Sequence, residues 1–299
     1  MIALFEEGDP VMKLYAPDCY REFRCIADRC RHTCCAGWEI DIDENTARAY
    51  QTVPGEIGER LRQGMARTED GSWHFVTDGR ERCPMLTERN LCSLITAFGE
   101  DALCQICADH PRFRNDLADR TEIGLGLSCE AAVALQLRRR QPMTIVLLED
   151  DGFEDEADPE ELAVLALRER LIGIAQRREL PLEKRIDLLA RQAGTRLPPP
   201  SHGIVGFLLT LERMDDAWAD ALKMLEQGQQ VKLSAELDIP LEQLLVLLLY
   251  RHMPAAAWEG NAPARARLCI CLWQLVRDLL AVGEPTRERL EELTRLMSS

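Results

Sequence analysis

Apolar residues recur at helical spacing through most of the second half of this 299-residue chain. "PEELAVLALRERLIGIAQRR" carries Leu162, Leu165, Leu167 and Leu171 on one apolar stripe. "RLPPPSHG", residues 196–203, breaks the pattern. It resumes in "IVGFLLTLERMDDAWADALKMLEQG", "LEQLLVLLLYRHM", "RARLCICLWQLVRDLLAVG" and "TRERLEELTRLM". The third of these is apolar on nearly every side at its centre, which predicts a buried helix. No exact repeat points to a solenoid, so a helical bundle is expected. The first half is more broken. "DENTARAY" has an acid-rich start and a helical interior. "LCSLITAFGE" sets Leu91, Leu94, Ile95 and Phe98 at helical spacing, with Gly99 as a stop. "EDALCQIC" predicts a short helix ending at His110–Pro111. "SCEAAVALQLRRR" predicts another, with Ser128 as N-cap and three arginines in its last turn. "SWHFV" is the best strand candidate. The expected fold is mainly α: a loop-rich cysteine metal-binding region packed with a C-terminal helical bundle.

Composition divides the chain. Nine of the thirteen residues 149–161 are acidic, a run that repels itself and suits a linker or exposed turn. The predicted organisation is a cysteine-rich domain over 1–148, an acidic linker over 149–161 and an all-helical domain over 162–299. Hydrophobic residues make up 46%, so a core forms without cross-links. The formal net charge of -15 repels polyanions and argues against nucleic acid as a partner, while a lysine-bearing protein remains compatible with it. The first residues, "MIALFEEGDP", lack a basic region and hold only four consecutive apolar residues, unlike an export signal. "LLVLLLY", residues 244–250, is far shorter than the roughly 20 residues a bilayer requires. No membrane partner is expected, and a reducing, cytoplasmic setting is.

In that setting twelve cysteines read as metal ligands before disulfides. Ten lie at or before Cys129. They form four groups: Cys25, Cys30, Cys34 and Cys35; Cys83 and Cys92; Cys104 and Cys107, with His110 following; and Cys129. Two cysteines three apart on a turn reach one point together, and a second pair supplies the other half. Zinc takes four such ligands in a tetrahedron, and a four-iron cluster takes four thiolates from looser spacings. Nine cysteines exceed one mononuclear site. They indicate an iron–sulfur cluster, two metal sites, or one site with thiols to spare. A redox disulfide system and small buried cysteines are the competing readings. Cys19 lies outside the tight spacing and reads as structural. Cys269 and Cys271 sit on an apolar helix and read as core. His110 and His32 are secondary ligand candidates.

These stretches resemble the flagellin lysine-N-methylase family. The resemblance runs through "FRCIADRCRHTCCAGWEIDID", "RCPMLTERNLCSL", "GEDALCQICADHPRF" and "LGLSCEAAVAL", across roughly the first 40% of the chain. It implies transfer of methyl groups from S-adenosylmethionine to lysine side chains of flagellin, with a cysteine-bound iron–sulfur cluster of the 4Fe-4S type, or zinc in its place. Cys25, Cys30, Cys34, Cys35, Cys83, Cys92, Cys104, Cys107 and Cys129 fall on the family's cysteine positions. Trp38, Asp41, Asp43, Pro111 and Arg112 fall on its other signature positions. After Cys129 the family usually has a proline and later an alanine–arginine pair, where this chain has "EAAVAL".

Methyl transfer to an amine needs a neutral nitrogen, so a site must take the lysine proton. Asp41, Asp43 and Tyr15 are candidates by proximity, although capping and solvated surface roles suit them better. "IGLGLS" holds Gly124 and Gly126 but does not sit in a βαβ pattern, so no cofactor site is assigned. The C-x3-C-x2-C arrangement of radical enzymes is absent, because Cys35 follows Cys34 directly. The residues themselves therefore leave three functions open: a lysine methyltransferase, a non-catalytic zinc- or iron-binding scaffold, and a thiol redox sensor.

Overall fold

The computed structural model describes residues 13–152, 156–212 and 215–298. The opening stretch read for export, and residues 153–155 of the acidic run, lie outside them. The chain is mainly α: thirteen α-helices and seven strands are present among the described residues. Its described residues divide into two compact units, one of residues 24–113, the other of 13–23 and those from 114 onward. No helix among the described residues is long and apolar enough to cross a membrane.

Strand β1 (Lys13–Pro17) belongs to the larger unit. The chain then builds the smaller unit from short pieces. These are β2 (Asp41–Ile42), α1 (Glu44–Thr52), α2 (Gly55–Gly64), β3 (Met65–Arg67), β4 (Trp73–Phe75), α3 (Ser93–Phe98) and α4 (Gln105–Asp109). Asp43 starts α1 by accepting a hydrogen bond from the Thr46 amide at 2.9 Å, as a β-region N-cap should. The three strands form an antiparallel sheet in the order β2-β4-β3. "SWHFV" thus supplies its central strand. One apolar core fills this unit, built on Ile40, Tyr50, Leu61, Phe75, Met85 and Leu94, with two cysteines among its members. Gly58 lets α1 and α2 approach closely, since a Cβ there would lie 1.8 Å from the Val53 carbonyl oxygen.

The larger unit resumes at Arg114, within β5 (Arg112–Leu117), and continues with β6 (Arg120–Leu125), α5 (Glu130–Leu137) and β7 (Ile145–Glu149). Its sheet runs β5-β6-β1-β7, with β1 parallel to β6 and antiparallel to β7. Helices α6 (Pro159–Ala175), α7 (Leu182–Gln192), α8 (Val205–Leu208), α9 (Asp216–Gln227), α10 (Asp238–His252), α11 (Ala256–Glu259), α12 (Ala262–Ala281) and α13 (Arg287–Met297) follow. Helix α10 is buried without a break from Pro240 to Tyr250, because α5, α6 and α12 all pack against it.

Four expectations are corrected here. The units do not divide at the acidic run: β7 before it and α6 after it belong to the same unit, because β1 pairs with both β6 and β7 and α5 packs on α10 and α13. The helix after "LGLS" is capped at Cys129, one residue beyond Ser128, and Arg138 is already its C-cap. The stripe of α6 that faces inward is Val164, Leu165, Arg168, Leu171, Ile172 and Ala175, while Leu162 is exposed. The helix buried on every side is α10 rather than α12, which keeps a partly exposed face at Leu268 and Cys271.

Candidate metal centre

Five of the predicted thiols gather on an apolar core of the smaller unit. Cys83 and Cys104 are members of that core, and Cys35, Cys92 and Cys107 pack against it. Local chain geometry explains each placement. An antiparallel bridge pairs Ala36 with Arg82, and the Cys83 amide donates to the Cys35 carbonyl at 2.8 Å, so these two cysteines lie on adjoining strand-like segments. A second bridge, Leu86 with Cys92, folds residues 83–92 back on themselves. Cys92 then caps α3, which Gly99 ends at φ 87°, a value glycine adopts without steric cost. A short 3₁₀ turn over Glu100–Ala102 leads to Cys104, the N-cap of α4, with Cys107 in the helix itself. The Tyr50 hydroxyl donates to the Ala102 carbonyl at 2.7 Å and pins this turn to α1.

Electrostatics make this a difficult place for several bare thiolates. Burial pushes Cys83 up to about 12, and negative charge on Cys35, Cys92 or Cys104 adds to the penalty. Burial also raises Cys92. The interaction between Cys104 and Cys107 holds Cys104 below the usual thiol range and Cys107 above it. Cys35 comes down to about 7, first through a hydrogen bond from Cys34 and then through Thr33 and Arg82, against the effect of burial. Several backbone amides also face sulfur. The Met85 amide lies 3.4 Å from Cys83 Sγ, those of Ile95 and Leu94 favour the ionised Cys92, and that of Cys107 favours the ionised Cys104. Amides directed at sulfur stabilise the anionic form, which is the form that binds metal.

The other predicted ligands are placed differently. Cys34 is exposed and reaches the group through its hydrogen bond to Cys35. Cys25 is exposed, with its sulfur accepting from the Ala27 amide at 3.4 Å. Cys30 is half-buried and ends the Ala27–Arg29 turn. Cys129 belongs to the other unit, at the start of α5. Cys19 also lies in that unit, deeply buried and pushed up to about 11 by desolvation. Cys269 is a core residue whose thiol donates to the Leu248 carbonyl at 3.3 Å. Burial and then Arg112 lower the His110 pKa, and its ring stands 6.3 Å from that of Trp38.

Trp38, Arg112 and Asp43, three of the positions that the resemblance singled out, brace cysteine turns. Trp38 Nε1 donates to the Cys34 carbonyl at 2.6 Å. Arg112 Nη1 donates to the Ala108 carbonyl at 3.0 Å, closing the helix that carries Cys107. Asp43 caps α1 through one carboxylate oxygen and accepts from the Gln105 amide through the other at 3.1 Å, tying α1 to the Cys104 turn. Sequence reading missed two arginines here. Arg60 on α2 grips the 83–93 segment at three points, and Arg82 donates to Asn90 Oδ1 at 3.2 Å and to the Thr87 carbonyl at 2.9 Å. The only trace of Arg82 in the sequence is its place before Cys83. Arg60 leaves no local trace.

Among the described residues no three Cys, His, Asp or Glu side chains converge closely enough to hold a single metal ion. The main thiol–thiol interactions are pairwise, Cys34 with Cys35 and Cys104 with Cys107. In type, the donors fit a thiophilic group: soft sulfurs with amides turned toward them, in an apolar setting where a cation would relieve the charge of adjacent thiolates. Two open grooves border the unit. One of about 460 Å³ is mostly apolar, between α1 and α3. The other, of about 650 Å³, has Gln105 and Ile106 in its wall and carboxylates on its rim. Three of those carboxylates have structural work: Asp43 is a cap, Asp70 holds the Thr68–Ser72 turn, and Glu44 pairs with Arg67. No protein-family model, curated protein or solved structure matches the chain.

Proposed function

We propose that this chain is a protein-lysine N-methyltransferase that acts on flagellin, uses S-adenosylmethionine, and is organised by a thiolate-held iron–sulfur cluster in its smaller unit. The observation that carries the metal part is the gathering of Cys35, Cys83, Cys92, Cys104 and Cys107 on one apolar core. Burial and mutual repulsion make multiple thiolates costly there, and a bound cation offsets that cost. Those residues, with Cys34 at the edge, are the ones that would hold the group. A cluster there would supply one-electron chemistry or a cross-link that orders the unit. The methylation part rests on the family resemblance of the cysteine stretches. In that reaction the bond from the cofactor's sulfonium to its methyl carbon breaks, a nitrogen–carbon bond forms, and the lysine nitrogen gives up a proton.

A second reading, a zinc- or iron-binding scaffold without catalysis, has its own support. Of the three candidate bases, Asp43 is already occupied as an acceptor by two amides, which suits a structural role. Anaerobic purification with iron, acid-labile sulfide and zinc measured on one sample separates a cluster from zinc. A brown protein absorbing near roughly 400 nm is the expected result. Cys104→Ser is expected to lower metal content and solubility together, and unchanged metal content would remove Cys104 from the ligand set. Calorimetric binding of S-adenosylmethionine and a methyl mass increment on flagellin test the enzyme. A metal-replete protein that binds no S-adenosylmethionine is the scaffold.

A further inference from the structure

We infer that Arg60 is a positioning residue for the thiol site, an inference that rests on the metal-binding reading of the smaller unit. The guanidinium reaches from α2 to the segment that carries Cys83 and Cys92. Nε donates to the Pro84 carbonyl at 2.6 Å, Nη2 to the Leu86 carbonyl at 3.1 Å and Nη1 to Ser93 Oγ at 3.1 Å. Pro84 directly follows Cys83, and Ser93 directly follows Cys92. One planar group therefore holds the chain immediately after both cysteines, and a planar fork sets the distance between its acceptors as a flexible ammonium does not. All three acceptors are neutral, and Arg60 takes part in no ion pair among the described residues. Its grip is on two backbone carbonyls and one hydroxyl.

Packing on α2 makes the same connection independently. A Cβ at Gly64 would lie 2.6 Å from Pro84 Cγ, so the end of α2 rests directly on the residue after Cys83. The bridge Leu86–Cys92 and the Ser93 amide to the Met85 carbonyl, 2.9 Å, close the hairpin, and Arg60 fixes that hairpin to the helix. Groups that orient ligands from behind typically change metal affinity by about ten- to a hundredfold when removed.

Cobalt(II) titration of the full-length, metal-free protein tests this, with the thiolate-to-cobalt absorption as signal. Arg62→Gln is the control: Arg62 lies on the same helix and also donates to backbone carbonyls, those of Gln51 and Val53, away from the thiol segment. Arg60→Gln is expected to weaken cobalt binding by about tenfold or more and to alter the absorption band, with Arg62→Gln close to wild type. Arg60→Lys keeps the charge but not the fork, and the same loss is expected; should Arg60→Gln fail to fold, Arg60→Lys decides. Wild-type affinity and spectrum in the Arg60 variants, or equal losses in the Arg62 control, would overturn the inference. A wild-type protein that gives no thiolate–cobalt band defeats the metal-binding reading itself, which is a different result.

Discussion

Asp43 shows how one residue of a signature stretch can serve architecture. Burial works to raise its pKa, but the Thr46 and Gln105 amides and the Thr46 hydroxyl outweigh it and hold the carboxyl below the usual aspartate range. A carboxylate held down in this way is a poor proton acceptor and a good cap. Asp43→Ala is expected to cost about 1–2 kcal/mol near neutral pH, read from urea unfolding. The folded pKa is the lower one, so Asp43's contribution is complete above the unfolded value of about 3.9 and is lost as pH falls through the folded value. The gap between wild type and variant should therefore close in acid. A gap that persists at about pH 2 would show that the carboxylate charge is not what α1 uses.

Among the elements, the tie between β6 and α6 is the most exacting. Arg168 and Glu122 form a two-pronged ion pair, Nη1 to Oε2 and Nη2 to Oε1, with both side chains 1% exposed. The Arg168 guanidinium also stands 5.2 Å from the centre of the Tyr250 ring on α10, whose hydroxyl donates to the Ile123 carbonyl at 2.9 Å. One arginine thus links a central strand to two helices. Removing one member of a buried pair strands the other charge, so Arg168→Met is expected to destabilise the protein by about 3–5 kcal/mol. The double variant Glu122→Leu/Arg168→Met leaves no orphan charge and should be less destabilised than Arg168→Met alone. Denaturant unfolding of the three proteins checks the order.

At the scale of the molecule, the two units are built on different principles. The larger has long helices around α10, whose burial supplies stability by apolar area. The smaller spans about ninety residues of short elements, residues 24–113, with its cysteines drawn into the core. On the proposed function, metal binding and folding of the smaller unit are linked. Chelation is expected to speed amide hydrogen exchange in α3, α4 and the 83–92 segment, with α10 and α12 keeping their protection. Uniform loss of protection across both units would contradict that division, and no change anywhere would argue against a resident metal.

Much of the helical content is legible in the amino-acid sequence, because a 3.6-residue apolar period and a capping side chain are local properties. The start of α1 at Asp43, the stop at Gly99 and the helices α6, α10, α12 and α13 follow from them, whereas α7 and α11 lie outside the stretches that the apolar period picks out. Cysteine spacing likewise points to a thiophilic site within the first 129 residues. Tertiary structure decides the rest. Strand β1 finds its partners more than a hundred residues away, at Arg120–Glu122 and Ile145–Glu149, and this pairing moves the unit boundary away from the acidic run. Five particular thiols share a core because two isolated bridges and two helix starts bring them there, and Arg60 reaches the segment that carries two of them from a helix more than twenty residues away in sequence. Local periodicity and spacing are written in neighbouring residues; which distant segments meet depends on the packing of the whole chain.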